Sequence, residues 1–176
     1  MSNNRKKIAI IGGGASGFFA ALRCAEKLKE LSIERNVEVS IYEGQNSFLR
    51  KVKISGGGRL NVTHHEFNPQ VFSESYPRGQ RELISPFTQF QARDTVEWFE
   101  KRGVALKAEE DGRMFPVSDD SQTIIDCLTL ECKKLHVKRV SKCRIRSIEN
   151  RGESGFLMKS ESESYFAVSY THLRAH

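Results

Sequence analysis

Glycines near the start of the chain have the spacing of a phosphate-binding loop. Gly12, Gly14 and Gly17 fit the pattern G-x-G-x-x-G and directly follow the apolar residues 8–11. In this pattern, backbone N–H groups and the N-terminus of the following helix approach a pyrophosphate. We expect Gly12 to allow the tight turn, Gly14 to admit the phosphates and Gly17 to let the helix pack against the strand. The predicted pyrophosphate-binding residues are Gly12, Gly14, Ala15, Ser16 and Gly17.

The segments around this loop have the order of a dinucleotide-binding unit. Residues 8–11 form a short apolar run, which is typical of a strand buried on both faces. Apolar residues at helical spacing follow the glycines, at Phe18, Leu22, Ala25, Leu28 and Leu31. Residues 37–42 then alternate like a strand that ends at Glu43. The sequence therefore predicts a strand, a glycine turn, a helix, a second strand and a terminal acid.

Glu43 is placed where a carboxylate can accept hydrogen bonds from a ribose 2′-OH. An acid at this position disfavours a 2′-phosphate, so the sequence predicts bound FAD or NAD rather than NADP. The alternatives are a solvent-exposed acid at a strand end and a glycine-rich turn that holds no ligand. The order of the predicted elements disfavours both alternatives.

A second glycine-rich stretch follows at residues 55–63, which read Ser-Gly-Gly-Gly-Arg-Leu-Asn-Val-Thr. Three consecutive glycines offer unhindered N–H donors beside the cation of Arg59, a combination that suits a phosphate or the edge of a flavin. Asn61 and Thr63 add neutral donors and acceptors. The alternative is a flexible surface linker, but linkers rarely carry Arg, Asn and Thr at alternating positions.

These motifs resemble one family of two-domain flavoproteins, the NAD(P)/FAD-dependent oxidoreductases that include aminoacetone-oxidase-like and bile-acid-reductase-like members. The resemblance rests on residues 12–17, Glu43, Lys51 and residues 55–63. In the second loop, the family pattern is Ser/Thr-Gly-x-Gly-Arg-Cys-Asn-x-Thr-Asn. This sequence carries Leu60 at the cysteine position and His64 at the final asparagine. Any chemistry that the family performs with that cysteine is therefore not expected here.

The resemblance implies an α/β fold, in which a Rossmann-type FAD-binding domain with a parallel sheet is joined by an antiparallel β-meander. It implies an enzyme, an FAD-dependent oxidoreductase that transfers a hydride or electrons to a small-molecule substrate, with NAD(P)H as the candidate electron donor. Lys51 and the second loop would approach the remaining phosphate, the ribitol or the isoalloxazine, and the backbone near Ile145 would lie beside the adenine. The implied cofactor-binding residues beyond the first loop are Glu43, Lys51, Ser55, Gly56, Gly57, Arg59, Asn61 and Ile145. No acid or base can be named, so the catalytic residues are unknown, and a non-catalytic module that binds FAD or NAD is the alternative.

The boundaries follow from the same resemblance. Family members are much longer than this chain, so residues 1–168 are predicted to be the N-terminal part of an FAD-binding domain, apparently truncated and inactive alone. Residues 169–176 do not continue the family pattern and are expected to be a non-native or disordered tail.

The middle of the chain gives weaker local signals. Residues 64–81 look irregular, and a helix is expected to begin at Ser85. The sequence also predicts a helix over residues 94–102, a short strand over residues 104–107 and a meander of strands over residues 137–168.

Composition sets further limits on function. The chain has 176 residues, enough for one domain with a core, and a net charge of +6. Its charges look spread along the chain, which favours solvated faces and a cofactor-complementary patch over nucleic-acid binding. The expected partner is a small-molecule substrate, with no nucleic acid and no membrane, since no apolar run approaches the ~20 residues of a membrane span. The oligomeric state is left open.

The cysteines point away from metal binding and from disulfides. Cys24, Cys127, Cys132 and Cys143 form no Cys-x-x-Cys pair and have no accompanying histidine cluster.

The basic residues 1–7 are followed by too short an apolar run for a signal peptide. The expected location is therefore the reducing cytoplasm.

Overall fold

The structure, a computed structural model, describes residues 5–173. These residues divide into two compact units. The first unit consists of residues 5–51 together with residues 128–173, and the second unit consists of residues 52–127.

Ten strands and six helices are found in the described residues. Strands β1 to β10 are Lys6–Ile11, Val37–Tyr42, Thr63–His64, Leu106–Ala108, Arg113–Pro116, Lys138–Val140, Ser147–Asn150, Phe156–Lys159, Ser164–Ala167 and Ser169–His172. Helices α1 to α6 are Ala15–Glu30, Arg50–Ile54, Pro69–Glu74, Gln80–Gln89, Ala92–Glu100 and Ser121–Lys134. Turns of 3₁₀ helix lie at Glu34–Asn36, Ser55–Gly58 and Gly152–Ser154. Within residues 5–173, no helix combines the length and apolar character that a bilayer span requires.

The first unit contains a parallel sheet with the strand order β10-β1-β2-β6. Strands β1 and β2 pair along their whole length, and α1 connects them and packs against both. Because the centres of these elements are apolar, they are excluded from water: Ile10 is 3% exposed, while Ile41 and Phe18 are 0% exposed. The parallel sheet and the Rossmann-type α/β fold expected from the sequence are confirmed.

Strands β7, β8 and β9 form an antiparallel sheet in the same unit. A buried cluster links this sheet to the carboxyl ends of β1 and β2. Its members are Ala9, Ile11, Tyr42, Cys143, Met158 and Ala167. The expected antiparallel meander is therefore confirmed as β7, β8 and β9, whereas β6, which was expected to belong to it, pairs with β2 in the parallel sheet.

The second unit contains an antiparallel sheet with the order β3-β5-β4, together with α3, α4 and α5. Helix α5 and strand β4 lie within two residues of their expected positions. The expected irregular structure over residues 64–81 is wrong, because α3 begins there. The Asn68 side chain accepts hydrogen bonds from the N–H groups of Gln70 and Val71, and Pro69 occupies the first helical position, where no N–H partner is needed.

Helix α4 also differs from the expectation. It begins at Gln80 rather than at Ser85, and it contains Pro86 in its interior. The pair Ser85-Pro86 is typical of a helix start, since proline favours the first turn. Here the proline lies in the second half of a short helix instead.

Part of the expected tail belongs to the parallel sheet. Ser169–His172 form β10, which runs parallel to β1, with Ile8 opposite Ser169 and Ile11 opposite His172. The expectation of disorder is therefore wrong for these four residues. The physical reason is that the edge of β1 offers backbone donors and acceptors that another extended backbone can satisfy. Residues 174–176 lie outside the described residues.

Candidate dinucleotide-binding site

The first glycine loop has a conformation that two of its glycines make possible. Gly12 has a φ of +116°, and its N–H donates a 2.9 Å hydrogen bond to the carbonyl oxygen of Tyr42. A side chain on Gly12 would overlap the carbonyl oxygen of Leu173, and one on Gly17 would overlap the carbonyl oxygen of Gly12. These two positions therefore require glycine for the turn and for the close approach of α1 to β1.

Gly14 differs from its neighbours because the space beside it is open. A Cβ built on Gly14 would have no atom of the described chain within 4 Å. The exposed residues Gly14, Ala15 and Ser16 lie at the N-terminus of α1. No side chain caps this end, and its first turn has no acid. The N–H groups of the first turn carry partial positive charge, so this open surface fits an anion such as a pyrophosphate.

Glu43 is held against this loop by its own carboxylate. One oxygen, Oε2, accepts a 2.8 Å hydrogen bond from the N–H of Gly13, and Oε1 accepts a 2.8 Å bond from the N–H of Gln45. Each carboxylate oxygen has a further lone pair, so Glu43 keeps capacity to accept from a hydroxyl group. The structure therefore brings the acid and the glycine loop together, as the order of the elements predicts.

The segment that includes Ile145 passes the same end of β2. The N–H of Cys143 donates a 2.8 Å hydrogen bond to the carbonyl oxygen of Glu43, and Arg144 packs closely against Gly44. Ile145 is half-buried and packs on the cluster that contains Tyr42. The predicted adenine neighbour thus lies in the same unit as the glycine loop and Glu43.

Sequence reasoning missed Gly13, Phe48 and Arg144. A side chain on Gly13 would collide with the ring of Phe48, and that ring packs edge-on against Phe18 with centroids 5.7 Å apart. Gly13 lies between the motif glycines, and Arg144 directly precedes Ile145. Both positions could have been noted, whereas no local pattern identifies Phe48 as the neighbour of a residue 35 positions earlier.

The second glycine loop belongs to the second unit and is a tight turn. Gly56, Gly57 and Gly58 all have positive φ, at +58°, +69° and +87°. The N–H of Leu60 donates a 3.0 Å hydrogen bond to the carbonyl oxygen of Ser55, which closes the loop. The conformation explains the three glycines, since L-residues rarely adopt such angles. Lys51 lies outside this loop, exposed on α2.

Arg59 was expected to be a cation for a ligand, but it already has two acidic partners. Its guanidinium pairs with Glu109 and Asp119 and lies 4.1 Å from the centre of the Phe115 ring. Asp119 also pairs with Lys107. Lys107, and then Arg59, hold the pKa of Asp119 below its usual value, and Glu109 raises the pKa of Arg59. The positive charge of Arg59 is therefore largely compensated within the second unit.

Asn61 has a structural partner as well. Its Oδ1 accepts a 3.3 Å hydrogen bond from the N–H of Met114, and the N–H of the next residue, Val62, donates a 2.8 Å bond to the carbonyl oxygen of Met114. Arg59 and Asn61 thus both fix the second loop onto the β4–β5 hairpin. Among the described residues, no group of histidine, cysteine and acidic side chains could hold a metal ion.

The chain is similar to known proteins over nearly its whole length. The family description "HI0933-like protein Rossmann domain" matches residues 6–173. The chain is 26% identical over 159 residues to the 3-dehydro-bile acid delta(4,6)-reductase of Clostridium scindens, an alignment that covers 90% of this chain and 36% of that protein. It is 28% identical over 149 residues to the ribosomal RNA dihydrouridine synthase of Escherichia coli, covering 85% of this chain and 34% of that protein. The chain thus spans about a third of the length of these curated relatives.

Among solved structures, the chain resembles the 3-ketosteroid-delta4-(5alpha)-dehydrogenase from Rhodococcus jostii RHA1. The TM-score is 0.65 at 11% identity, over 95% of this chain and 45% of that one. At this identity, the likeness shows the fold alone. The family match goes further than the fold, because it confirms the flavoprotein resemblance and the FAD cofactor expected from the motifs. The chain therefore belongs to the HI0933-like family of FAD-binding Rossmann domains.

Proposed function

We propose that this chain is the FAD-binding part of a flavin-dependent reductase. The observation that carries the proposal is the open, uncapped N-terminus of α1 at Gly14, next to the fixed carboxylate of Glu43. An anion-binding surface and a ribose-binding acid at adjacent strand ends are what the ADP half of FAD requires.

In this proposal, the predicted site residues of the first unit have distinct binding roles. The N–H groups at the start of α1, from Gly14 to Ser16, hold the pyrophosphate, and Glu43 accepts from the ribose hydroxyls. The backbone at Ile145 lies along the adenine, as the family resemblance implies. Lys51 and the second loop, from Ser55 to Asn61, are proposed to serve the remaining phosphate, the ribitol or the flavin ring. When bound, FAD supplies the redox chemistry, and the chain supplies binding and orientation.

The two named relatives suggest the kind of substrate. A 3-dehydro-bile acid with delta(4,6) unsaturation carries double bonds conjugated to a ketone, and dihydrouridine is uridine whose C5=C6 bond, conjugated to a carbonyl, has been reduced. Both names imply the reduction of a carbon–carbon double bond that is conjugated to a carbonyl, in which a hydride adds to the electrophilic end of the conjugated system and a proton adds to a carbon nearer the carbonyl. We infer the same reaction class here, with either a small unsaturated ketone or a uracil base of RNA as the substrate.

The proposal separates cofactor binding from turnover. Because the chain spans about a third of its relatives, we propose FAD binding for the chain itself and reduction for the whole protein. The alternative is a module that binds FAD or NAD without turnover.

The test is the absorption spectrum of the purified chain after incubation with FAD and desalting. We expect flavin bands at ~450 nm to stay with the wild type and to be lost in Gly14→Val, whose side chain enters space that the described chain leaves open. Circular dichroism controls for folding. A folded wild-type chain that retains no FAD, or that binds NAD instead, would contradict the proposal.

A further inference from the structure

Positive charge is concentrated in the first unit, so the even spread of charge expected from the sequence, on which the expectation of no nucleic-acid partner rested, is wrong. The sequence segments of this unit, 1–51 and 128–176, contain 19 Lys and Arg residues against 10 Asp and Glu, whereas residues 52–127 contain 9 against 12. Much of the excess lies in residues 133–146, which hold seven Lys or Arg residues, one histidine and no acid. The net charge of +6 therefore comes from one unit, and mainly from one short stretch of it.

Part of this stretch lines an open cleft of about 550 Å³, which we call the basic cleft. It is lined by Phe48, Cys132, Lys133, His136, Val137 and Arg139. Lys133, His136 and Arg139 are exposed, and within residues 5–173 no ion pair joins any of them to a carboxylate. The acid nearest in sequence, Glu131, pairs with Lys134 instead. Two cations, Lys133 and Arg139, that lack acidic partners in the described chain and lie on a concave surface favour an anionic ligand.

The walls of the basic cleft are held in place by the end of α6. The N–H of Val137 donates a 2.9 Å hydrogen bond to the carbonyl oxygen of Cys132, and the N–H of His136 donates to that of Lys133 at 3.3 Å. His136 has a φ of +54°, at a position that usually takes glycine. Cys132 and Val137, which also line the cleft, are themselves buried. The side chains of Lys133 and His136 therefore project from the fixed C-terminal end of α6, and that of Arg139 projects from β6.

We propose that the basic cleft binds the phosphate backbone of a polynucleotide. One phosphate would need only one or two cations, but here five more Lys or Arg residues accompany Lys133 and Arg139 within residues 133–146. A chain of phosphates can use such a series, and each contact releases a counterion. Phe48 supplies an aromatic surface of the kind on which a base can stack. The inference does not depend on the proposed reduction.

The test is fluorescence anisotropy of the chain with a labelled single-stranded RNA of 20 nucleotides, without added FAD and at several KCl concentrations. The double variant Lys133→Ala with Arg139→Ala is compared with Lys29→Ala with Arg35→Ala, which removes the same charge from exposed positions of the same unit. We expect the first variant to lose about tenfold in affinity and to show a shallower salt slope, with less than a twofold change in the control.

Three outcomes would overturn the inference. The first is an absence of RNA binding at about 50 mM KCl, where phosphate contacts are strong. The second is an equal loss in both double variants, which would mean that net charge alone is responsible. The third is binding to vesicles that contain phosphatidylserine without binding to RNA, which would assign the cleft to a membrane surface. Circular dichroism of each variant establishes that the exposed substitutions leave the fold unchanged.

Discussion

A methyl group on Gly17 would overlap the carbonyl oxygen of Gly12. The first turn of α1 therefore rests directly on the turn that follows β1, and no side chain fits between them. The same loop leaves the space beside Gly14 empty. Glycines three residues apart thus have different roles, one in packing and one in leaving room for a ligand.

We predict that Gly17→Ala destabilises the fold, whereas Gly14→Ala does not. The overlap at Gly17 involves backbone on both sides, so relief requires that α1 move, and we expect the free energy of unfolding to fall by about 3 kcal/mol or more. For Gly14→Ala, we expect a change below about 1 kcal/mol, since only the helix-capping preference is altered. Urea unfolding followed by circular dichroism measures both, and similar losses in the two variants would contradict this assignment.

Local sequence patterns were sufficient to predict β1, α1, β2 and the position of Glu43, because these signals are short-range. The glycine spacing, the helical period after it and the acid at the end of β2 all lie within residues 12–43, and the structure places them together. The partners of Arg59 could not be read in the same way. Glu109 and Asp119 are 50 and 60 positions away, and only the folded second unit brings them to Arg59.

The missed elements have a similar explanation. Residues 64–81 show no clear apolar period, and α3 is specified mainly by its cap, Asn68-Pro69, a signal that is short and easily read as a turn. Strand β10 is specified by the open edge of β1 rather than by its own side chains.

Glu43 offers a prediction that links stability to cofactor binding. Both of its carboxylate oxygens accept backbone N–H bonds, and Glu43→Gln replaces one of these oxygens with an NH₂ group that cannot accept. We expect the free energy of unfolding to fall by about 1 to 2 kcal/mol and FAD affinity to fall with it. Urea unfolding and FAD titration measure the two effects. Glu34→Gln, at an exposed position of the same unit, is the control and should change neither.

The ion pair between Arg59 and Asp119 should make the stability of the second loop depend on pH in the acid range. The pKa of Asp119 is held below its usual value by Lys107 and then by Arg59, so its ion pairs persist above about pH 4 and are lost as the pH falls below that value. In Arg59→Ala, we expect the pKa of Asp119 to rise toward the usual value and the amides of Gly56 and Gly57 to exchange faster at pH 7. Carboxyl NMR titration and hydrogen exchange measure these effects.

The control for this prediction is Arg81→Ala, an exposed change in the same unit. It removes one positive charge but should alter neither the titration of Asp119 nor the exchange of the loop amides. Unchanged loop exchange in Arg59→Ala would mean that the glycine turn is held by its backbone bonds alone, such as that from Leu60 to Ser55.

Cys132 should make stability fall at alkaline pH. Its side chain is fully buried, and burial raises the pKa of the thiol to about 12, whereas a thiol in an unfolded chain titrates near ~8.5. Since the folded-state pKa is the higher one, the contribution is fully present below about pH 8.5. Above that pH, the unfolded chain loses the proton and the folded chain keeps it, so stability falls by up to about 1.4 kcal/mol per pH unit.

The variant Cys132→Ala isolates this effect from the titration of the other cysteines and tyrosines, which it leaves in place. We expect the variant to be less stable than the wild type at pH 7.5, because it leaves a small cavity. Between pH 8.5 and 9.5, however, the wild type should lose about 1 kcal/mol more than the variant, so that the two curves converge. Urea unfolding at these pH values measures the difference. Parallel curves would contradict this prediction. They would mean that the thiol of Cys132 ionises equally in the folded and unfolded chains, whereas burial should keep it protonated in the folded chain.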